Sequence, residues 1–221
     1  MGGRGSSSAG KHGKTGGGIG AGGSNGRGGA FHDKTQQFAG MSLHEFENDI
    51  RGRSTEYIGI FDENGKLLVA GTSNSKNHVT LPTLPQGTDY SKLTLTHNHP
   101  SGNGRGLGGT FSPADIENHA RLGLKQTRAV ANGKGEHSYI ITTTPGANPD
   151  GLKKFAAGAG SAMRNRGNAY VAKVEKKFSA NGQKMPLELY NKVYLGSQKK
   201  FWTGEAEKNG YQYVTLKKAS W

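Results

Sequence analysis

Residues 93–102 read LTLTHNHPSG, an alternating apolar run ending in two histidines that flank one asparagine, followed at once by proline. In an extended strand, side chains two positions apart leave the same face. His97 and His99 therefore present two imidazoles side by side, and Asn98 turns away. Pro100 has no amide hydrogen for a sheet ladder, so the strand stops there. Downstream, SPADIENHARLG (112–123) has Ser112 as N-cap, Pro113 at the first helical position and Asp115 at the third, which predicts a helix start. Its N-terminus should point back at the strand's end, which makes Asp115 the natural third partner for the two imidazoles. Two histidines, a carboxylate and a water complete a tetrahedral zinc site of catalytic type.

The flanking sequence supplies the remaining elements. EYIGIFD (56–62), the turn ENG and KLLVAGT (66–72) read as a hairpin. MSLHEFENDI pairs Ser42 with Glu45 in a capping-box pattern that opens a short helix. Residues 73–91 carry Pro82, Pro85 and Gly87 and show no helical period. TRAVAN and HSYIITTT form a second hairpin around GKGE, and PGANPDG (145–151) closes this unit. Beyond it come two helices, the first weakened by its glycines, and a last strand, YQYVTLKK (211–218). The expected fold class is α/β, a mixed β-sheet flanked by helices. Residues 1–39 are expected to be a disordered Gly-rich tail, 40–148 a metal-binding domain, and 149–221 a basic helical extension with a final strand.

Composition narrows the function classes. The 221 residues include no cysteine, which excludes disulfides, thiolate metal sites and a cysteine nucleophile. No apolar window is long enough to span a bilayer, and the N-terminus lacks the apolar core of a secretory signal, so a soluble, cytoplasmic protein is expected. Within the Gly-rich tail, GIGAGG (18–23) and GKT (13–15) match fragments of nucleotide-binding motifs but follow no strand. Net charge is +13, and residues 151–221 carry fourteen Lys and Arg against four Asp and Glu. Such a segment suits nucleic acid or another acidic partner, through Arg164, Arg166, Lys173, Lys176 and Lys177. A solvated lysine-rich helical face is the plainer alternative.

HNHPSG followed by SPAD resembles the JAMM/MPN+ zinc metalloprotease signature, and more closely its RadC-like branch, including bacterial and phage-borne members. The family also carries a glutamate on an earlier strand, and EYIGIF matches with Glu56, Gly59 and Ile60. The resemblance covers roughly residues 55–144. It implies the JAB/MPN, cytidine-deaminase-like architecture, with Zn²⁺ held by His97, His99, Asp115 and a water. It also implies Glu56 as general base, Ser112 as oxyanion donor, and an amide substrate in a peptide or a ubiquitin-like protein. Two departures stand out. Eleven residues separate Pro100 from Ser112, more than the family uses, and 73–91 offers prolines where the family has a helix.

Other readings stay open at this level. Glu45 or Glu47 are alternative carboxylates to Glu56, and Ser112 is an N-cap before anything else. His119 is either a partner behind the ligands or an exposed helix histidine, and Ser101 belongs to the loop after the strand. The rival function is a RadC-like nucleic-acid-associated protein whose metal site is structural or nucleolytic. A toxin or effector domain carried by a phage or secretion system is a third.

Overall fold

The computed structural model describes residues 29–100, 110–131 and 137–217. Ser101 and most of the Gly-rich tail lie outside them. The strands are β1 (His32–Asp33), β2 (Tyr57–Phe61), β3 (Leu67–Thr72), β4 (Thr94–His99), β5 (Gln126–Ala131), β6 (His137–Thr143) and β7 (Tyr211–Lys217). The helices are α1 (Leu43–Arg51), α2 (Pro113–Leu122), α3 (Pro149–Ser179) and α4 (Leu187–Lys208).

All seven strands form one mixed sheet in the order β1-β3-β2-β4-β5-β6-β7. Only the central pair, β4 and β5, is parallel, and α2 makes the crossover between them. In an open α/β sheet the crevice at the carboxyl ends of such strands is where ligands bind. β2 runs antiparallel to β4, so its amino end lies beside the carboxyl end of β4. That single topological fact brings residue 56 to the two histidines.

Each face of the sheet is covered differently. On one side α1 and a 3-10 turn (Thr35–Phe38) bury Phe38, Phe46, Phe61 and Val130. Gly59 permits this approach, because a Cβ there would lie 2.6 Å from the Phe46 ring. On the other side α2, α3 and α4 pack over β5, β6 and β7 around Phe111, Ile116, Leu152, Trp202 and Tyr213. A third cluster, with Ile58, Leu81, Leu95 and Leu124, lies beneath the irregular segment 73–89. Residues 73–89 form no helix, as the prolines predict, and the end of the 73–91 stretch enters a single 3-10 turn, Tyr90–Lys92.

Packing runs across residues 40 and 148. Phe38 is fully buried and β1 pairs with β3, so ordered packing begins before residue 40. At the other end, β7 pairs with β6 along its whole length and extends the sheet. α3 continues through its glycines for 31 residues, since Leu152, Ala156, Ala159, Met163 and Val171 keep one buried stripe. Tertiary packing of that stripe outweighs the local propensity cost.

Candidate metal centre

His97 and His99 occupy the last turn-facing positions of β4, on the face covered by α2. Their Nε2 atoms are 3.0 Å apart. Asp115 reaches them from the first turn of α2, with Oδ1 3.3 Å from His97 Nε2 and Oδ2 3.5 Å from His99 Nε2. Among the described residues these three form a group that can hold a metal ion. The distances support this fit. Four donors placed tetrahedrally at a zinc-like bond length of about 2.0–2.1 Å sit about 3.3 Å from one another, and the three observed separations bracket that value.

Local sequence fixes the carboxylate. Ser112 and Asp115 form a capping box: Asp115 N donates to Ser112 Oγ at 3.3 Å, and Ser112 N donates to Asp115 Oδ2 at 2.7 Å. Capping and ligation therefore use the same side chain without conflict. Burial works to raise the Asp115 pKa, but the adjacent His97 and His99 outweigh it and hold the carboxyl well below the usual range. The residues leading into the helix are anchored from the C-terminal segment. Trp202 Nε1 donates to the Phe111 carbonyl at 3.1 Å, and the Thr110 and Tyr213 hydroxyls lie 2.5 Å apart.

Glu56 lies just before β2. The register pairs Ile58 with His97, and continuing the two-residue period sets Glu56 opposite His99 on the same face. Glu56 is 9% exposed and lines the same cavity as the three candidate ligands. Burial pushes its carboxyl up to about 7, against the opposing pull of His99 and His97. Every peptide group around it is held. Glu56 N donates to the Ser75 carbonyl at 2.7 Å, and Thr72 Oγ1 donates to the Glu56 carbonyl at 2.6 Å. Asn98 closes the clamp from the opposite face. Tyr57 N donates to its Oδ1 at 2.6 Å, and its Nδ2 donates to the Thr55 carbonyl at 3.0 Å.

The remaining candidates separate cleanly. Glu45 is spent on the cap of α1. Glu47 lies across the sheet, where it accepts from Arg128 Nε at 2.6 Å and from Thr96 Oγ1 at 2.8 Å, away from the histidines. Ser112 is exposed and lines the cavity. His119 is fully buried rather than on an exposed helix face; its ring nitrogens meet Thr127 Oγ1 at 2.9 Å and Thr143 Oγ1 at 3.1 Å. Burial pushes its pKa down to about 3, so it is neutral across the ordinary pH range. His97 Nδ1 is buried with no hydrogen-bond partner among the described residues. Asn98, which holds the backbone on either side of Glu56, is the one residue at this site that the sequence did not single out. Its position between the histidines was visible, but its partners lie on a strand whose register the sequence does not give.

The cavity is about 450 Å³ and is walled by residues 77–81, β2, β4, α2 and α3. Compared with family models, curated proteins and solved structures, the chain matches none. Among the described residues no helix is long and apolar enough to cross a membrane.

Proposed function

We propose that this protein is a zinc-dependent amide hydrolase of the JAMM/MPN+ type, cleaving a peptide or isopeptide bond. The observation that carries this reading is the convergence of two imidazoles, one carboxylate and a separate buried carboxylate in one cavity. The donor set is nitrogen and oxygen only, the mixture that zinc takes in hydrolytic sites. A zinc ion bound there would supply Lewis acidity, polarising the scissile carbonyl and acidifying water.

The chain's own residues divide the rest of the work. Glu56, whose pKa in the metal-free site is about 7, is suited to take a proton from the attacking water and to hand it to the departing amine nitrogen. The clamp on residues 55–57 holds that carboxylate on the histidine face. Ser112 has a hydroxyl at the cavity wall that can donate to the developing oxyanion. The JAB/MPN architecture and an extended, ubiquitin-like tail as substrate belong to the same proposal.

The test is elemental analysis followed by peptide hydrolysis. Wild-type protein should carry about one zinc per chain, and the His97→Ala/His99→Ala variant none. Glu56→Gln should keep the metal and lose turnover. Wild type that takes up no zinc on titration would sink the proposal.

A second reading has its own observation. Arg164, Arg166, Lys173, Lys176 and Lys177 are all exposed along α3, a surface suited to the phosphates of nucleic acid. A DNA affinity that falls steeply with salt, combined with no peptide turnover, would favour that reading.

A further inference from the structure

Among the described residues lining the cavity, one is a Lys or Arg, and the hydrolysis described above gives it no role. Arg164 projects from α3 and lines the same cavity as His97, His99, Asp115 and Glu56. It is exposed, and it has no ion pair or hydrogen bond among the described residues. Arg166 and Lys173, its neighbours on the basic helix, do not line the cavity. The strongly basic third of the chain therefore sends one guanidinium to the candidate catalytic site and leaves those two cations outside it.

Its position is set by packing. Met163 and Gly167, on either side of it in the helix, are both buried, which fixes the helical face that Arg164 leaves. Gly160, one turn earlier, lies between the guanidinium and α2, with space for ordinary van der Waals contact to both. A Cβ there would lie 3.9 Å from Arg164 Nη1 and 3.7 Å from Pro113 Cγ. The guanidinium thus flanks the first residue of α2, next to Ser112 and in the same turn as Asp115. The wall formed by Ile58, Val79, Leu81 and Leu95 is apolar. Glu117 also lines the cavity but makes no ion pair with Arg164.

We propose that Arg164 forms an anion subsite that binds a carboxylate of the substrate beside the scissile amide. The proposal rests on the reading of this cavity as the hydrolytic site. A guanidinium offers a planar fork of donors that matches a carboxylate with two parallel hydrogen bonds. The carboxylate comes either from an acidic side chain or from the end of a peptide chain; both present the same group to the fork.

The experiment is calorimetric titration of zinc-loaded full-length protein with three short peptide hydroxamates sharing one backbone. The first carries a side-chain carboxylate, the second its carboxamide isostere with an amidated end, and the third that carboxamide with a free terminal carboxylate. At least one carboxylate ligand should bind wild type about tenfold tighter than the carboxamide, the scale of one charge-assisted pair. The ligand that gains identifies the source. Arg164→Gln keeps side-chain length and helix propensity, and it should bind all three alike. Equal affinities in the wild type, a preference that survives Arg164→Gln, or no hydroxamate binding at all would each overturn the subsite. A preference that Arg164→Gln abolishes, in a protein that cleaves no peptide, keeps the subsite and removes the hydrolase reading. Peptide cleavage indifferent to carboxylates does the reverse.

Discussion

Replacing Glu56 by glutamine should stabilise the metal-free protein at alkaline pH and leave its stability unchanged at acid pH. Glu56 is 9% exposed, and burial moves its carboxyl pKa from the ordinary 4.5 to about 7. Below pH 4.5 the folded and unfolded states both hold the proton, and the carboxyl costs nothing. Between 4.5 and about 7 only the folded state keeps it, so stability falls as pH rises through that window. Above 7 the fold carries a buried anion, at a cost of about 3 kcal/mol. Glutamine has nearly the same shape and does not titrate. Denaturant unfolding of both proteins in chelator, at pH 5 and pH 8, reads the difference directly. The stability gap should open by about 2–3 kcal/mol in favour of Glu56→Gln at pH 8 and nearly close at pH 5. Saturating zinc should shrink the gap at pH 8, because the cation supplies the charge that the buried anion lacks. A gap that does not vary with pH, or a glutamine variant that is the weaker protein at pH 8, would refute the claim that desolvation governs this carboxylate.

Three further outcomes follow from other parts of the structure. Asn98→Ala strands the Tyr57 amide and the Thr55 carbonyl; it should cost about 2–4 kcal/mol in denaturant unfolding and lower peptide turnover while elemental analysis still finds the metal. Trp202→Ala opens the core behind Phe111 and releases its carbonyl, which should cost about 3–5 kcal/mol and weaken zinc uptake in a competition with a chelator; unchanged uptake would mean that α4 does not position α2. His119 should remain neutral to below pH 4 by proton NMR, since its folded pKa is depressed to about 3. Neutral His119 supports the fold above the unfolded histidine value of 6.5, and that support is lost as pH falls towards 3, so His119→Gln should flatten the acid limb of the stability curve.

How much of this was legible depends on the reach of each signal. The capping box at Ser112 and Asp115 is local, and the structure forms it as the sequence spells it. The alternation in β4 is local too, and it puts both imidazoles on one face. Glu56 was separable from Glu45 and Glu47 only by resemblance, because three glutamates within a dozen residues offer no local distinction. The sheet distinguishes them: Glu47 and Thr96 share the face of α1, whereas the β2–β4 register carries Glu56 to the other. His119 looked exposed because α2 is short and polar, yet α2 lies between the sheet and α3, and little of it remains free.

In the C-terminal third, charge and packing lie on opposite faces. Net charge reports what the outside of a segment carries and is silent about its inner stripe. Fourteen basic side chains drew attention to the solvent face of residues 151–221. The face that matters for architecture holds Leu152, Ala156, Met163, Phe201 and Trp202. These bury the sheet, and Trp202 and Tyr213 hold the two residues that precede Ser112. The candidate ligand Asp115 therefore depends on contacts between residues 91 and 103 positions apart, which no spacing rule can detect. It follows that a chain truncated after residue 148 should fail on two counts, leaving β6 without its partner strand and α2 without its anchor. Such a fragment should be insoluble or unfolded by circular dichroism. If it instead folded and took up zinc, the candidate metal centre would belong to the first six strands alone, and the C-terminal segment would be dispensable to it.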